Sequence, residues 1–493
     1  MKKSTYFITF SLAFTLFLGF LFVGCGKTEK NKVSSYQIEV SYDGENSVKG
    51  KESVIYQNNS DNALSFLQFN LFANAFKNKD SVVTVAEEER AYYNGESVGD
   101  IQILSVKSGG ENLTYTFDGD TQEIMKVSLL NEIYPDENVE IDIEFEIKLA
   151  NINHRLGKGE NTINLGNFYP IVSVYENGKG FYHNVYQPFG DPFYSQVASY
   201  NVTISCPTKF AVASSGDKVS EKIENGVKSL NFKGENMRDF AIVLSDKFTL
   251  QCDKSSVCEV EYYGYEGDMN IQKCLNVAKD AVNYFSKSFG AYPYNKLSVV
   301  KNSFVQGGME YPGLVMISDE ADDESLPYII VHEVAHQWWY GAVGDNQCET
   351  AWLDEGLAEM STLMFFRDNT GYGIDNKQTL DGCLNSYKIY EKVQDKVYGK
   401  VDGVMDKQLG KFASSPDYVA LSYTKSTLMF STLEEQLGKK KFLSALKDFY
   451  KNLNDLYNGK RINKLENQCA QFKSINKKQI NVLLNGKTLK YRF

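Results

Sequence analysis

A chain of 493 residues with 42% hydrophobic and 13% aromatic residues has apolar surface enough for two or three globular domains, which excludes a disordered or fibrous protein. A net charge of −11, with no basic patch interleaved with aromatics, excludes nucleic acid as a partner. No repeat, heptad or low-complexity tract is evident.

The first element is Met1-Lys2-Lys3 followed by an uncharged run to Gly26, a signal or anchor whose positive end stays cytoplasmic. The run is long enough to span a bilayer, so an uncleaved transmembrane helix is the competing reading. The segment Leu21-Phe22-Val23-Gly24-Cys25-Gly26 resembles a bacterial lipoprotein cleavage site, with Phe22 where Leu is common. That resemblance implies a signal peptide over 1–24, a lipidated Cys25 and a polar linker to residue 35. Both readings tether the remaining chain to the extracellular face of a bacterial membrane. Cys25 aside, seven cysteines remain and cannot all pair within the chain. Cys252 and Cys258 are close enough to bridge a loop, and free buried thiols are the expected state for the rest.

From Tyr36 the chain alternates: Tyr36, Ile38, Val40 and Tyr42, then Val139, Ile141, Ile143, Phe145, Ile147 and Leu149, each separated by a polar residue. Turn clusters of Gly, Asn and Asp separate such runs to about residue 250, which predicts an antiparallel β-sandwich-like domain over 36–252. Helical periodicity begins near Asp268, with Ile271, Leu275, Ala278, Val282 and Phe285 on one stripe, and a strand is expected over Leu297 to Val300. A helix from Tyr328 to Trp339 is apolar almost all round and therefore buried. Ser325 is its expected cap, Pro327 fits its first turn and Gly341 its stop. A second helix runs from about Trp352 to Phe366, and further helices are expected over 424–437 and 440–453. A catalytic domain over 253–460 and a short tail over 461–493 complete the organisation.

The chemistry lies in those two helices. His332 and His336 stand at i and i+4, so both imidazoles reach one ion, and Glu333 between them reaches a metal-bound water without being a ligand. Glu355 is the expected third ligand. Glu359, four residues on, is the expected acceptor for the free N–H of a ligand histidine. A buried Glu beside two His is costly unless a divalent cation compensates it. One zinc ion per chain is the expected cofactor.

The stretch from His332 to Glu359, with Gln337-Trp338-Trp339 and Trp352-Leu353-Asp354-Glu355-Gly356, resembles the gluzincin aminopeptidases, the family of aminopeptidase N and leukotriene-A hydrolase. Gly307-Gly308-Met309-Glu310 resembles that family's exopeptidase motif, and Tyr423-Thr424-Lys425 its transition-state tyrosine. Asn167-Phe168-Tyr169-Pro170 and Gly190-Asp191-Pro192 resemble the β-domain of bacterial members. Two positions depart from the pattern: Tyr311 replaces an Asn, and Ser426 a Gly.

The resemblance implies a multidomain protein with a thermolysin-like, mainly α zinc catalytic domain behind the β-domain. It also implies a peptide substrate, with Glu310 binding its α-ammonium, Gly307, Gly308 and Met309 lining its backbone, Glu333 as general base and Tyr423 stabilising the oxyanion. Paired glycines suit close approach of a substrate strand. A zinc endopeptidase and a non-catalytic peptide-binding lipoprotein are the alternatives. Only 70 residues follow Tyr423, leaving no room for the family's large helical C-terminal domain, so an open cleft is expected. Side-chain preference and oligomeric state are not legible.

Overall fold

The computed structural model describes residues 33–457, with side chains through residue 451. The expectations for the leader, Cys25 and the 461–493 tail lie outside the described residues. No described helix is long and apolar enough to cross a membrane.

The alternating segments form strands with their apolar residues inward: Tyr36, Ile38, Val40 and Tyr42 on Ser34–Tyr42, and Ile141, Ile143, Phe145 and Ile147 on Asn138–Lys148, are all buried. They belong to an eight-stranded sheet, and two four-stranded sheets complete most of the β-domain. The expected antiparallel arrangement needs one correction. Ser34–Tyr42 runs parallel to Ala198–Pro207, with Ile38 opposite Val202. More than 150 residues separate the two strands, so no hairpin dictates their direction.

The sheet changes between Ile242–Ser245, which closes the β-domain, and Phe248–Lys254, which begins a new five-stranded sheet. Three of its strands, Glu259–Tyr265, Lys296–Asn302 and Leu314–Ser318, are parallel neighbours. Their outer edge is the two-residue strand Gly308–Met309, antiparallel to Leu314–Ser318. The helix Ile271–Ser288 that follows Glu259–Tyr265 buries the predicted stripe. Asp268 lies ahead of it, accepting from Asn270 N and pairing with Lys301 at 2.9 Å, which ties the helix start to the sheet.

One apolar core runs through both domains. Polar ties also cross the junction, among them Asn164 Nδ2 to Ser303 O at 3.0 Å and Arg238 Nε to Tyr340 O at 2.9 Å. All six cysteines of the described residues are free, including Cys252 and Cys258.

Candidate metal centre and substrate cleft

The helix Leu326–Ala335 carries His332 and Glu333 and buries both, with His336 as its C-cap. Pro327 occupies its first turn and Ser325 the N-cap position as expected, but the Ser325 side chain makes no capping bond: Asp322 Oδ1 accepts from the N–H groups of Glu324 and Ser325 instead. The stop also differs. Past His336 the chain makes a wide turn over Gln337–Ala342, and the positive φ of 154° belongs to Tyr340 rather than Gly341. Burial of the Tyr340 ring and the Arg238 bond to its carbonyl hold that strained conformation.

The helix Gln347–Asp368 presents Glu355 and Glu359 to the first. Asn346 caps it by accepting from Cys348 N, and a break at Thr350 (φ −134°, ψ 35°) sets its first turn apart. His332 Nε2 and His336 Nε2 lie 3.1 Å apart, and Glu355 Oε2 lies 3.3 and 3.4 Å from them. Tetrahedral zinc with ligand bonds of about 2.0–2.2 Å places neighbouring donors roughly 3.3–3.6 Å apart. Glu355 Oε2 is buried and makes no hydrogen bond, so it is a free donor aimed at the point the two imidazoles share. The residues therefore fit a zinc ion.

The outer nitrogens of both rings face carboxylates. His336 Nδ1 lies 2.8 Å from Asp354 Oδ1, and His332 Nδ1 lies 3.2 Å from Glu359 Oε1. A proton on each Nδ1 leaves each Nε2 with a lone pair for the ion. Glu359 is where the sequence placed it. Asp354 was missed, although its position next to Glu355 in Trp352-Leu353-Asp354-Glu355 was the available signal.

The electrostatics describe a pocket suited to added positive charge. Burial opposes charge on both imidazoles, yet Glu355 and Glu359 push His332 up to about 10, and Asp354 and Glu310 push His336 well above its ordinary value. Glu355 is held below the usual carboxylate range by the two histidines despite burial. Burial pushes Glu333 and Glu310 each up to about 8. Excess carboxylate in a dry site favours a divalent cation.

A cleft of about 380 Å³ opens on His332, Glu333, Glu359 and Tyr423. Gly307 and Gly308 line it from the sheet edge. A Cβ on Gly308 would displace the Glu333 carboxylate from its place on the cleft wall, whereas Gly307 faces open space. Met309 and Glu310 are buried behind the wall: Glu310 is 3% exposed, and its Oε1 accepts from Gln347 Nε2 at 2.8 Å. Tyr423 stacks near-parallel to His332, and its hydroxyl donates to Glu355 Oε1 at 2.6 Å.

Both departures from the family pattern are accommodated. Tyr311 points away from the cleft, donating to Asn167 Oδ1 at 2.7 Å, and fills the space beside Gly166. Ser426 sits where Gly356 leaves room and returns its hydroxyl to the carbonyl of Tyr423 at 2.9 Å.

The β-domain supplies the facing wall, with Arg155, Phe189, Gly190 and Asp191. Arg155 Nη1 pairs with Asp191 Oδ1 at 2.6 Å and its guanidinium lies over the Phe193 ring. Sequence reasoning did not find Arg155. Its only signal is a lone basic residue between strands.

Residues 273–485 match the peptidase family M1 domain. Among curated relatives, an aminopeptidase M1 of Arabidopsis thaliana is 23% identical over 63% of this chain and 38% of its own length. Aminopeptidase 2 of Candida albicans is 22% identical over 74% of this chain and 39% of its own. The chain spans roughly a third of the length of the curated relatives it matches. An M1 zinc metallopeptidase of Deinococcus radiodurans superposes with a TM-score of 0.62 at 15% identity, covering 93% of this chain and 95% of that one. A two-domain M1 zinc metallopeptidase solved with L-arginine gives a TM-score of 0.64.

Proposed function

We propose, from a chain that residues 273–485 place in the M1 family of gluzincin peptidases, a zinc aminopeptidase that removes N-terminal residues from peptides. The observation that carries this reading is the convergence of His332 Nε2, His336 Nε2 and Glu355 Oε2 within 3.4 Å of one another, with Glu333 beside them on the cleft wall. Those three residues would hold the ion, which when bound acts as a Lewis acid on the scissile carbonyl and on water.

Asp354 keeps the proton on His336 Nδ1, and Glu359 faces His332 Nδ1 at 3.2 Å. Glu333, whose Oε2 is buried without a partner, takes a proton from the attacking water and passes it to the leaving amine nitrogen. Tyr423 brings an O–H donor to the same pocket for the developing oxyanion. Gly307 and Gly308 accept an extended substrate along the sheet edge, and Glu310 holds its α-ammonium at the end of that track. The two-domain neighbours include one solved with a Tyr-Ser-Ala substrate, which supports a peptide-binding cleft in this fold. The leader and Cys25 support placement outside the cell, tethered to the membrane.

One observation favours a second reading: with Glu310 buried behind Gln347, amine recognition requires Glu310 to turn outward, and without that turn the same site is an endopeptidase. A matched pair of free and N-acetylated aminoacyl substrates decides between them. Zinc-loaded protein should cleave the free amines at least about a hundredfold faster, as expected for loss of an ammonium–carboxylate pair, and lose both activities to a chelator. Equal rates on both substrates would replace the aminopeptidase by an endopeptidase, and rates indifferent to the chelator would remove the metal from the account.

A further inference from the structure

The helix Asn376–Tyr398 is 23 residues long, yet only Leu384 and Tyr387 on it are buried. Its inner face packs on the segment that carries Tyr423: the Tyr390 hydroxyl donates to Asp402 O at 2.9 Å and to Asp417, and the Tyr387 ring lies 5.7 Å from Lys425 Nζ. The outer face has a four-residue regularity in sequence. From residue 388 the pairs Lys388-Ile389, Lys392-Val393, Lys396-Val397 and Lys400-Val401 recur every four residues. Residues four apart share a helical face, so the aliphatic members form a stripe with the lysines beside it. Ile389, Val393 and Val397 are 61%, 51% and 63% exposed, and Val401, past the helix end at Gly399, is also exposed. All four lysines are exposed, while Glu391 and Asp395 stand on the flank.

A helix that shows aliphatic side chains to solvent beside a row of lysines has the composition of a bilayer-surface element. The apolar side chains enter the headgroup boundary, and the lysine stems let their ammonium groups reach lipid phosphates. We propose that this outer face is a docking surface for an anionic lipid bilayer, on a protein whose overall charge is otherwise strongly negative. Charge rules against the other occupants. Residues 458–493 carry nine Lys and Arg against a single Glu, so that tail would meet the lysine row with like charge. A second copy using the same face would oppose lysines to lysines across a two-fold axis.

The test uses the full chain with Val393→Trp. The native Trp338, Trp339 and Trp352 are at most 2% exposed, out of reach of a quencher in the bilayer. Vesicles of brominated phosphatidylcholine with phosphatidylglycerol should blue-shift and quench the new fluorescence, with affinity about tenfold or more above brominated phosphatidylcholine alone and most of that difference lost in high salt. Lys392→Glu with Lys396→Glu in the same background should abolish the quenching and leave peptide hydrolysis in solution unchanged. Val219→Trp, at an exposed β-domain position, should stay unquenched. The proposal is overturned by absent quenching on anionic vesicles or by equal quenching of Val219→Trp. It is equally overturned by a blue shift without vesicles: one that grows with protein concentration assigns the face to a second copy, and one that does not assigns it to the chain's own tail.

Discussion

The two walls of the cleft are built on different principles. The metal wall comes from two helices, its ligands set by spacings of four and nineteen residues along one stretch of chain. The β-domain wall comes from Arg155 and Asp191, residues of separate loops brought to 2.6 Å only by the finished fold. Chemistry written in local periodicity survives in the sequence, and the shape of the site around it does not. The comparison predicts that changes on the metal wall act on turnover and metal, while changes on the facing wall act on stability.

The largest effect belongs to Glu333. Glu333→Gln removes the proton carrier and leaves every ligand in place, so zinc content should stay near one per chain while kcat falls by about 10²–10⁴. Metal analysis and steady-state kinetics on the same sample check this, and a near-native kcat would exclude Glu333 as base. On the opposite wall, Asp191→Ala leaves the buried Arg155 guanidinium unpaired and should lower unfolding free energy by about 3–5 kcal/mol. Denaturant titration of the zinc-loaded chain measures the loss. If zinc content dropped while stability held, the division between the walls would break down.

A finer change sharpens the metal wall. Asp354→Asn removes the carboxylate at 2.8 Å from His336 Nδ1 without touching a ligand, and zinc affinity should weaken about 10–100-fold. Competition with a chelating dye gives the ratio, and unchanged affinity would mean that the Trp339 carbonyl, 3.1 Å from the same nitrogen, suffices to orient the ring.

The smallest effect concerns a histidine with no part in the chemistry. His154 is buried between Phe76 and Phe304, with Nε2 3.0 Å from Val82 O, and burial pushes its pKa down to about 3. Above its unfolded value of about 6.5 both states are neutral and its contribution to stability is fully present. Below that, the unfolded chain binds a proton that the fold refuses, and stability falls by up to about 1.4 kcal/mol per pH unit until pH approaches 3. His154→Gln should remove that part of the acid slope between pH 6.5 and 5. A slope unchanged by the substitution would show that His154 takes up its proton without unfolding.

The same division explains what the sequence disclosed. His332, His336, Glu355 and Glu359 were legible because helical spacing alone puts them on facing surfaces, and the inward alternation of the β-domain was legible from period two. The parallel pairing of Ser34–Tyr42 with Ala198–Pro207 was not, since it depends on a partner far along the chain. Nor was the turn at Tyr340, where a bulky residue takes the conformation expected of Gly341 because Arg238, from the other domain, holds its carbonyl. Glu310 was placed by its motif but not by its environment: its burial and its bond to Gln347 depend on a residue 37 positions along the chain.

The central claim is that one zinc ion sits among His332, His336 and Glu355. Crystals of the zinc-loaded chain, with diffraction recorded on both sides of the zinc absorption edge, locate the ion without reference to activity. The account predicts one strong anomalous peak about 2.0–2.2 Å from His332 Nε2, His336 Nε2 and a Glu355 carboxylate oxygen, with Glu333 outside bonding distance. A peak held instead by Glu310 and Asp354, or no peak in protein that hydrolyses peptides, would contradict it.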